Sequence, residues 1–293
     1  MSRKSSKARV VQAPVPCDEA IEAMINRAPL RLWLRVFRFW QWYHRYSVEG
    51  FEHIDPEQPA LVVGYHGRPL ALDMCMLQTK IHDDKNFGYL PIGMVHSTTE
   101  LVGPLKWALD RLGFAVKDNE NVAAAVHRKE LIFTTPGGER EGMRSFRQKY
   151  RVNWPDRTGY LKMAARHGLP IIPVGAAGAD DTYVGLFDPQ KVGQRLGIPS
   201  QYDFLLWVGF GPLGVYPFSP PFPVHIHQYI GEPYTEHLEG LPEGHSAEAR
   251  AERDKMLERP KTKAELRKHH RNVIGEVQHL LDRAAGRLEE ESR

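Results

Sequence analysis

Short apolar runs rich in β-branched residues alternate along this chain with segments of helical periodicity, and that alternation leaves few folds open. The runs cover 61–64, 89–95, 113–117, 131–135, 170–175 and 224–230, with Gly and Pro punctuating them. Residues 70–81, 101–112, 119–129 and 158–167 read as helices between them. Strands alternating with helices predict an α/β fold, a mostly parallel central sheet flanked by helices on both faces. A C-terminal helix closes the pattern. It is expected to open on the capping box Thr262-Lys263-Ala264-Glu265. Leu266, Val273, Val277, Leu280, Ala284 and Leu288 then recur at helical spacing, as a core-facing stripe does. The 293 residues suit one large α/β domain with appendages. The expected division is a disordered start and an amphipathic helix over 1–47, the main domain over 48–236, and a linker with a packed C-terminal helix over 237–293.

Residues 30–46 alternate aromatics with arginines. Wound at about 100° per residue, Arg31, Arg35, Arg38 and Arg45 fall within a sector of roughly 80°. Leu32, Trp33, Val36, Phe37, Trp40 and Tyr43 gather opposite them. Four arginines at about 2.5–3.5 kcal/mol each near a bilayer centre rule out comfortable spanning. The same pattern suits an interfacial helix, with aromatics in the acyl boundary and arginines on anionic lipid headgroups. An amphipathic helix packed on the core is the other reading. No run of about 18 uncharged apolar residues occurs, so no simple membrane span is expected. The net charge of +3 is mild, and no nucleic-acid partner is expected. Cys17 and Cys75, the two cysteines, are far apart, which fits a reducing compartment and neither a disulfide framework nor a zinc site. The basic opening residues precede no apolar stretch of a secretory signal. The expected location is cytoplasmic, peripheral on the cytoplasmic face of a membrane. Residues 201–224 are dense in aromatics, Gly and Pro, and could line an acyl tunnel, dip into a membrane surface or pack as a loop.

The stretch Leu61 to Asp73 carries the first candidate chemistry. A buried strand runs into His66, then a Gly67-Arg68-Pro69 turn, then a helix bearing Asp73. Open α/β sheets hold their ligands at the carboxyl ends of strands. An imidazole there, oriented by a carboxylate, is a general base able to strip a proton from a hydroxyl nucleophile. The second candidate is Pro136-Gly137-Gly138-Glu139-Arg140-Glu141. A Gly-Gly turn lets backbone N–H groups approach an anion, and Arg140 can add a bidentate contact. Arg140 also opens a basic run with Arg144, Arg147, Lys149, Arg151 and Arg157, set against Glu141 and Asp156. They form either a solvated face or a patch for coenzyme A phosphates, an acidic carrier protein or anionic lipid. No G-x-S-x-G elbow of a serine hydrolase occurs. The enzymatic rival is a metal-dependent hydrolase, with His225 and His227 on one strand face joining His66 and Asp73. A third reading is a non-catalytic protein that binds lipid surfaces.

In order and spacing these motifs resemble the glycerolipid acyltransferase superfamily, typified by 1-acylglycerol-3-phosphate acyltransferases. That family carries H-x4-D, a Gly-containing strand, FPEGTRS and a VPIVPV-like stretch. Here His66 to Asp73, Gly113-Phe114-Ala115-Val116-Lys117, Thr135 to Arg140, and Leu169-Pro170-Ile171-Ile172-Pro173-Val174 follow in the same order. The Pro-Gly-Gly-x-Arg-Glu form is similar to the mono- and diacylglycerol acyltransferase-like branch. The resemblance covers about 48–236. It implies acyl transfer from acyl-CoA or an acyl-carrier protein, as co-substrate, to a glycerolipid hydroxyl, with no cofactor and no metal. His66 is then the base and Asp73 its orienting acid, while Lys117, Pro136, Gly137, Gly138, Glu139, Arg140 and Glu141 bind substrate. Six residues separate His66 from Asp73, where the family has four. Gly137 stands where the family has Glu, so Glu139 or Glu141 is the nearest acid to that role. Lys117 stands where an arginine usually holds phosphate, which favours a neutral acceptor.

Overall fold

The structure, a computed structural model, describes residues 28–69, 71–95, 115–116, 119–199 and 202–291. Its strands are β1 (Ser47–Glu49), β2 (Leu61–Gly64), β3 (Ile92–Val95), β4 (Ala115–Val116), β5 (Ile132–Thr134), β6 (Ile171–Ala177), β7 (Val184–Gly185), β8 (Gly209–Gly211), β9 (Gly214–Val215) and β10 (His227–Ile230). The helices are α1 (Ala28–Tyr43), α2 (Leu72–His82), α3 (Asn119–His127), α4 (Gly138–Gly142), α5 (Gly159–His167), α6 (Pro189–Leu196), α7 (Ala247–Leu257) and α8 (Pro260–Glu291). Among these residues the main sheet has the order β1-β10-β6-β2-β5-β3-β4. Every neighbouring pair is parallel except β10 with β6, so the expected mostly parallel sheet is what forms. The expected helix over 101–112 lies outside the described residues.

A strand covered on both faces is apolar throughout, and β2 shows why. Leu61 and Val63, with Tyr65 just beyond, pack on one face among residues of α3, α5 and α8. Val62 points the other way, to Met74, Leu77 and Ile81 of α2. All four of those β2-side residues are sealed from solvent. On β6 a Cβ at Gly175 would lie 2.5 Å from the backbone nitrogen of Leu281, so the absence of a side chain lets α8 rest directly on the strand. The α8 stripe meets the core as expected, through Leu266, Val273, Val277, Leu280 and Ala284. The helix begins at Pro260, a residue suited to a first turn, so Thr262 lies inside it and is not its cap. The stretch expected as linker or exposed helix contains α7, whose cap is Ser246 accepting the N–H of Ala249 at 3.1 Å.

Helix α1 divides its faces differently from the expected two-sided pattern. Leu30, Leu34 and Phe37 are buried, and Trp33 and Trp40 pack beside Phe37 against Met76, Ala176 and Ile226. Leu32, Val36, Phe39 and Trp42 remain exposed. Arg38 pairs with Asp83 through two hydrogen bonds of 2.9 and 2.6 Å, and Arg45 lies beyond the helix end. Only a three-dimensional partner separates the aromatics that anchor this helix from those that do not. Among the described residues no helix is long and apolar enough to cross a membrane.

Candidate active site

The strand β2 delivers His66 two residues past its end, half-buried at the carboxyl edge of the sheet. Its Nδ1 lies 3.1 Å from the carbonyl oxygen of Gly67. A carbonyl only accepts, so this contact places the proton on Nδ1 and leaves Nε2 as the basic nitrogen. Burial lowers the His66 pKa, while the Gly67 carbonyl and the charge of Glu139 pull it partly back. The imidazole is therefore neutral near pH 7, the form a general base needs.

Asp73, in the first turn of α2, does not hold the imidazole by a hydrogen bond. Its carboxylate is fully buried, and neither oxygen finds a partner at full hydrogen-bonding geometry. Burial lifts its pKa to about 7, although the N–H groups of Met74, Asp73 and Gly67 turn toward it. Asp73 thus faces Gly67, the residue whose carbonyl orients His66. The six-residue separation puts the acid beside the turn, one step removed from the ring.

The Pro136 to Glu141 segment is organised around Glu141, whose side chain is sealed inside. One oxygen accepts the backbone N–H of His66 at 2.9 Å and the indole N–H of Trp154 at 3.0 Å. The other accepts the N–H of Asn153 at 3.0 Å, and Arg144 stands 3.7 Å away. Burial outweighs these contacts and lifts its pKa to about 8. Glu141, expected as a substrate contact, is a buried strut beneath the His66 imidazole. The Gly-Gly turn follows from it. A Cβ on Gly137 would run into the Glu141 carboxylate, and the N–H of Gly138 donates to Thr135 at 3.0 Å. Gly138 therefore does not offer the expected N–H to an anion. Gly142 closes the segment, where a Cβ would lie 2.5 Å from Nδ1 of His66. Pro136 and Glu139 are half-buried, and Arg140 is exposed, 3.9 Å from the buried Asp203 carboxylate. Lys117 lies outside the described residues.

A second layer of charge lies behind the His66 imidazole. Asp180, just past β6, accepts from Tyr65 Oη, from the N–H of Tyr150 at 2.9 Å and from Arg144 at 3.1 Å. The Arg68 guanidinium, also sealed, donates to the carbonyls of Asp180 at 2.7 Å and Ser145 at 2.8 Å. These arginines tie the turn after His66 to the turn after β6. Burial raises the Asp180 pKa, with Arg144 and Arg68 opposing. The sequence offers one sign of this network, an acidic pair directly after a wholly apolar strand.

His225 and His227 serve elsewhere. Both contact Ser47 Oγ, at 2.8 and 2.6 Å, and His225 Nδ1 lies 3.1 Å from Glu291. Among the described residues no three His, Cys, Asp or Glu side chains are grouped to hold a metal ion. The proposed four-residue metal centre with His66 and Asp73 is not assembled.

Comparison with known proteins matches residues 45–177 to the Acyltransferase family. That span runs from β1 to the end of β6 and contains every site residue described above except Asp180 and Asp203. A DGAT1/2-independent enzyme synthesizing storage lipids from Gallus gallus is 29% identical over 73% of this chain and 57% of its own length. Phytyl ester synthase 1 of Arabidopsis thaliana is 27% identical over 46% of this chain and 20% of its own length. The chain thus spans little more than half the length of the first relative and a fifth of the second. The crystal structure of the 1-acyl-sn-glycerophosphate acyltransferase PlsC from Thermotoga maritima aligns over 84% of this chain and 86% of that one, with 16% identity and a TM-score of 0.41. Residues 45–177, the span that carries His66, Asp73 and Glu141, are thus similar to the Acyltransferase family.

Proposed function

We propose that the chain is an O-acyltransferase that moves a fatty acyl group from a thioester to a hydroxyl of a glycerolipid acceptor. The observation that carries this is the His66 imidazole at the end of β2, with its Nδ1 proton held by the Gly67 carbonyl. Nε2 takes the acceptor's hydroxyl proton as the oxygen attacks the thioester carbonyl. The tetrahedral adduct then collapses, the C–S bond breaks, and the thiolate leaves with the proton carried by the imidazolium. Products are an ester and a thiol, and no acyl-enzyme or cofactor is needed. Arg140 at the mouth supplies a cation for the donor's phosphates, from coenzyme A or a carrier protein. Asp73 stiffens the Gly67 turn and acts on the ring through it.

The acceptor would reach the site from a membrane surface bearing anionic lipid, on its cytoplasmic face. Leu32, Val36, Phe39 and Trp42 of α1 face solvent, as do Arg31 and Arg35, a composition suited to the interfacial zone. The test is transfer from labelled long-chain acyl-CoA to lysophosphatidate, monoacylglycerol and diacylglycerol, for wild type and His66→Ala. The expected loss is about 10²–10⁴-fold, the usual worth of a general base. Undiminished turnover by His66→Ala would remove the imidazole from the mechanism.

A further inference from the structure

Between β6 and β10 the chain leaves the main sheet and builds a small one, in which β8 pairs antiparallel with β7 and β9. Its two faces are inverted relative to an ordinary surface sheet. The inner face carries glycine. A Cβ at Gly185 would meet Trp207 Nε1 at 2.9 Å, and one at Gly209 would strike the same indole ring. The buried Trp207 lies beneath, with its indole N–H donating to the carbonyl of Arg144 at 3.3 Å. The outer face carries the bulk. Val184 pairs with Phe210, and Phe210 with Val215, so the register sets all three side by side. All three are exposed. Leu213 at the β8–β9 turn is 81% exposed, Phe218 is 92%, and Leu205 is 69%.

An apolar face turned outward over an indole foundation is not a sheet short of core residues, because Trp207, Tyr183 and Tyr216 already pack beneath it. Charge identifies what would cover it. Residues 184–218 contain two acids and two bases. Both acids are engaged internally, since Asp188 caps α6 by accepting the N–H of Gln190, and the buried Asp203 faces Arg140. Both bases, Lys191 and Arg195, are exposed, as is Arg147 beside Phe146. The exposed charges of the excursion are therefore positive and sit on α6, which packs against the turn bearing the exposed Leu205. The excursion also touches the site, through Asp203 to Arg140, and touches α1, whose Tyr43 donates to the carbonyl of Pro221 at 2.8 Å.

We propose that the outer face of this small sheet, with Leu205, Leu213 and Phe218, seats on an anionic lipid bilayer and brings the interface to the edge of the Arg140 and His66 site. With α1 it makes a two-point contact, so the site faces the surface from which a lipid acceptor is drawn. This rests on the lipid-acceptor reading above. An interfacial contact of this kind combines buried apolar area with attraction to anionic headgroups.

The test uses the full chain and a Leu213→Asp/Phe218→Asp double variant, two exposed positions outside the catalytic groups. Co-sedimentation with phosphatidylcholine vesicles containing phosphatidylglycerol should fall by about tenfold or more in the variant, while thermal unfolding stays unchanged. Transfer to a vesicle-borne acceptor should fall in parallel, and transfer to a short-chain, water-soluble acceptor should persist. Vesicle binding equal to wild type would overturn the proposal, because α1 alone would then hold the protein. A wild-type dimer that ignores vesicles and is split by the same substitutions would overturn it in favour of a second copy. If wild type transfers to neither acceptor, acyl transfer fails, and sedimentation still decides whether this face meets lipid.

Discussion

Glu141 accepts the backbone N–H of His66 at 2.9 Å, a contact across 75 residues of sequence that ties the end of β2 to the segment after β5. The same carboxylate holds Asn153 and Trp154. A single side chain thereby braces His66 against the backbone following α4. Replacing it with Ala removes the acceptor of three donors, of which the indole N–H of Trp154 is buried, at about 1–3 kcal/mol for a buried group left unsatisfied. Glu141→Ala should lower the urea midpoint sharply. Glu141→Gln, which keeps an acceptor oxygen, should recover much of the stability. Equal midpoints for both would show that the donors find water instead.

Gly142 tests the position of the ring rather than its chemistry. A methyl group there would lie 2.5 Å from His66 Nδ1 and 2.9 Å from the carbonyl of Pro69, so the imidazole must shift. Small displacements of a reacting group cost on the order of 10²-fold in rate. Gly142→Ala should therefore reduce kcat far more than it changes KM for the donor. An unchanged kcat would mean the ring has room to move without penalty.

Stability should decline as pH rises through the neutral range. Glu141 and Asp73 have folded pKa values raised to about 8 and about 7, above the ordinary carboxyl values they regain on unfolding. Through these two carboxyls the folded state binds more protons than the unfolded state between about pH 4 and pH 8, opposed below about pH 6.5 by His44, His66, His167, His227, His237 and His270, whose pKa values burial lowers. Each unit of pH then removes stability, the loss being complete once pH passes the folded values. Thermal unfolding from pH 7 to pH 9, where the histidines are neutral in both states, should show this slope, and Glu141→Gln should flatten it. A slope that is unchanged in the variant would assign the effect to other groups.

The acid limb of activity should lie below the range of an exposed histidine. Burial is the largest influence on His66 and lowers its pKa, so the neutral base persists to lower pH. In kcat/KM against pH, the inflection should fall below about 6.5, the unperturbed histidine value. An inflection above that value would place a stronger opposing charge beside the ring than Glu139 provides.

Asp180 joins two sealed arginines, and it is a buried charge that depends on its partners. Removing one side of such a pair costs about 3–5 kcal/mol, because the other is left uncompensated. Asp180→Ala and Arg144→Met should each destabilise severely, while the double variant costs less than the sum. Additive losses would show that the two groups act independently.

The parts legible in the sequence are those set by local pattern. β2, β5 and β6 are runs whose two faces are both covered, and α8 shows its stripe at helical spacing. His66 at a strand end could be placed because strand, glycine and proline are adjacent in sequence. The roles of Asp73 and Glu141 could not, since each depends on packing between segments. Asp73 lies near enough in sequence to suggest a direct hydrogen bond, but α2 turns it toward Gly67. Glu141 looks like part of an exposed basic run, yet the segment that buries it, Asn153 and Trp154, is held by distant residues. The split of α1 into anchoring and exposed aromatics has the same origin, because Met76, Ala176 and Ile226 choose which rings are covered.

Among the described residues strand β1 pairs with β10 alone, and Ser47 meets His227 across 180 residues. A three-residue strand has little to stabilise it before that pairing forms. Closing so long a span is entropically unfavourable until the intervening segments have folded. The first strand of the sheet in sequence is therefore among the last to pair. During synthesis the part of α1 that packs on Ile226 stays uncovered until the late strand has emerged, although Met76 and Ala176 are available earlier.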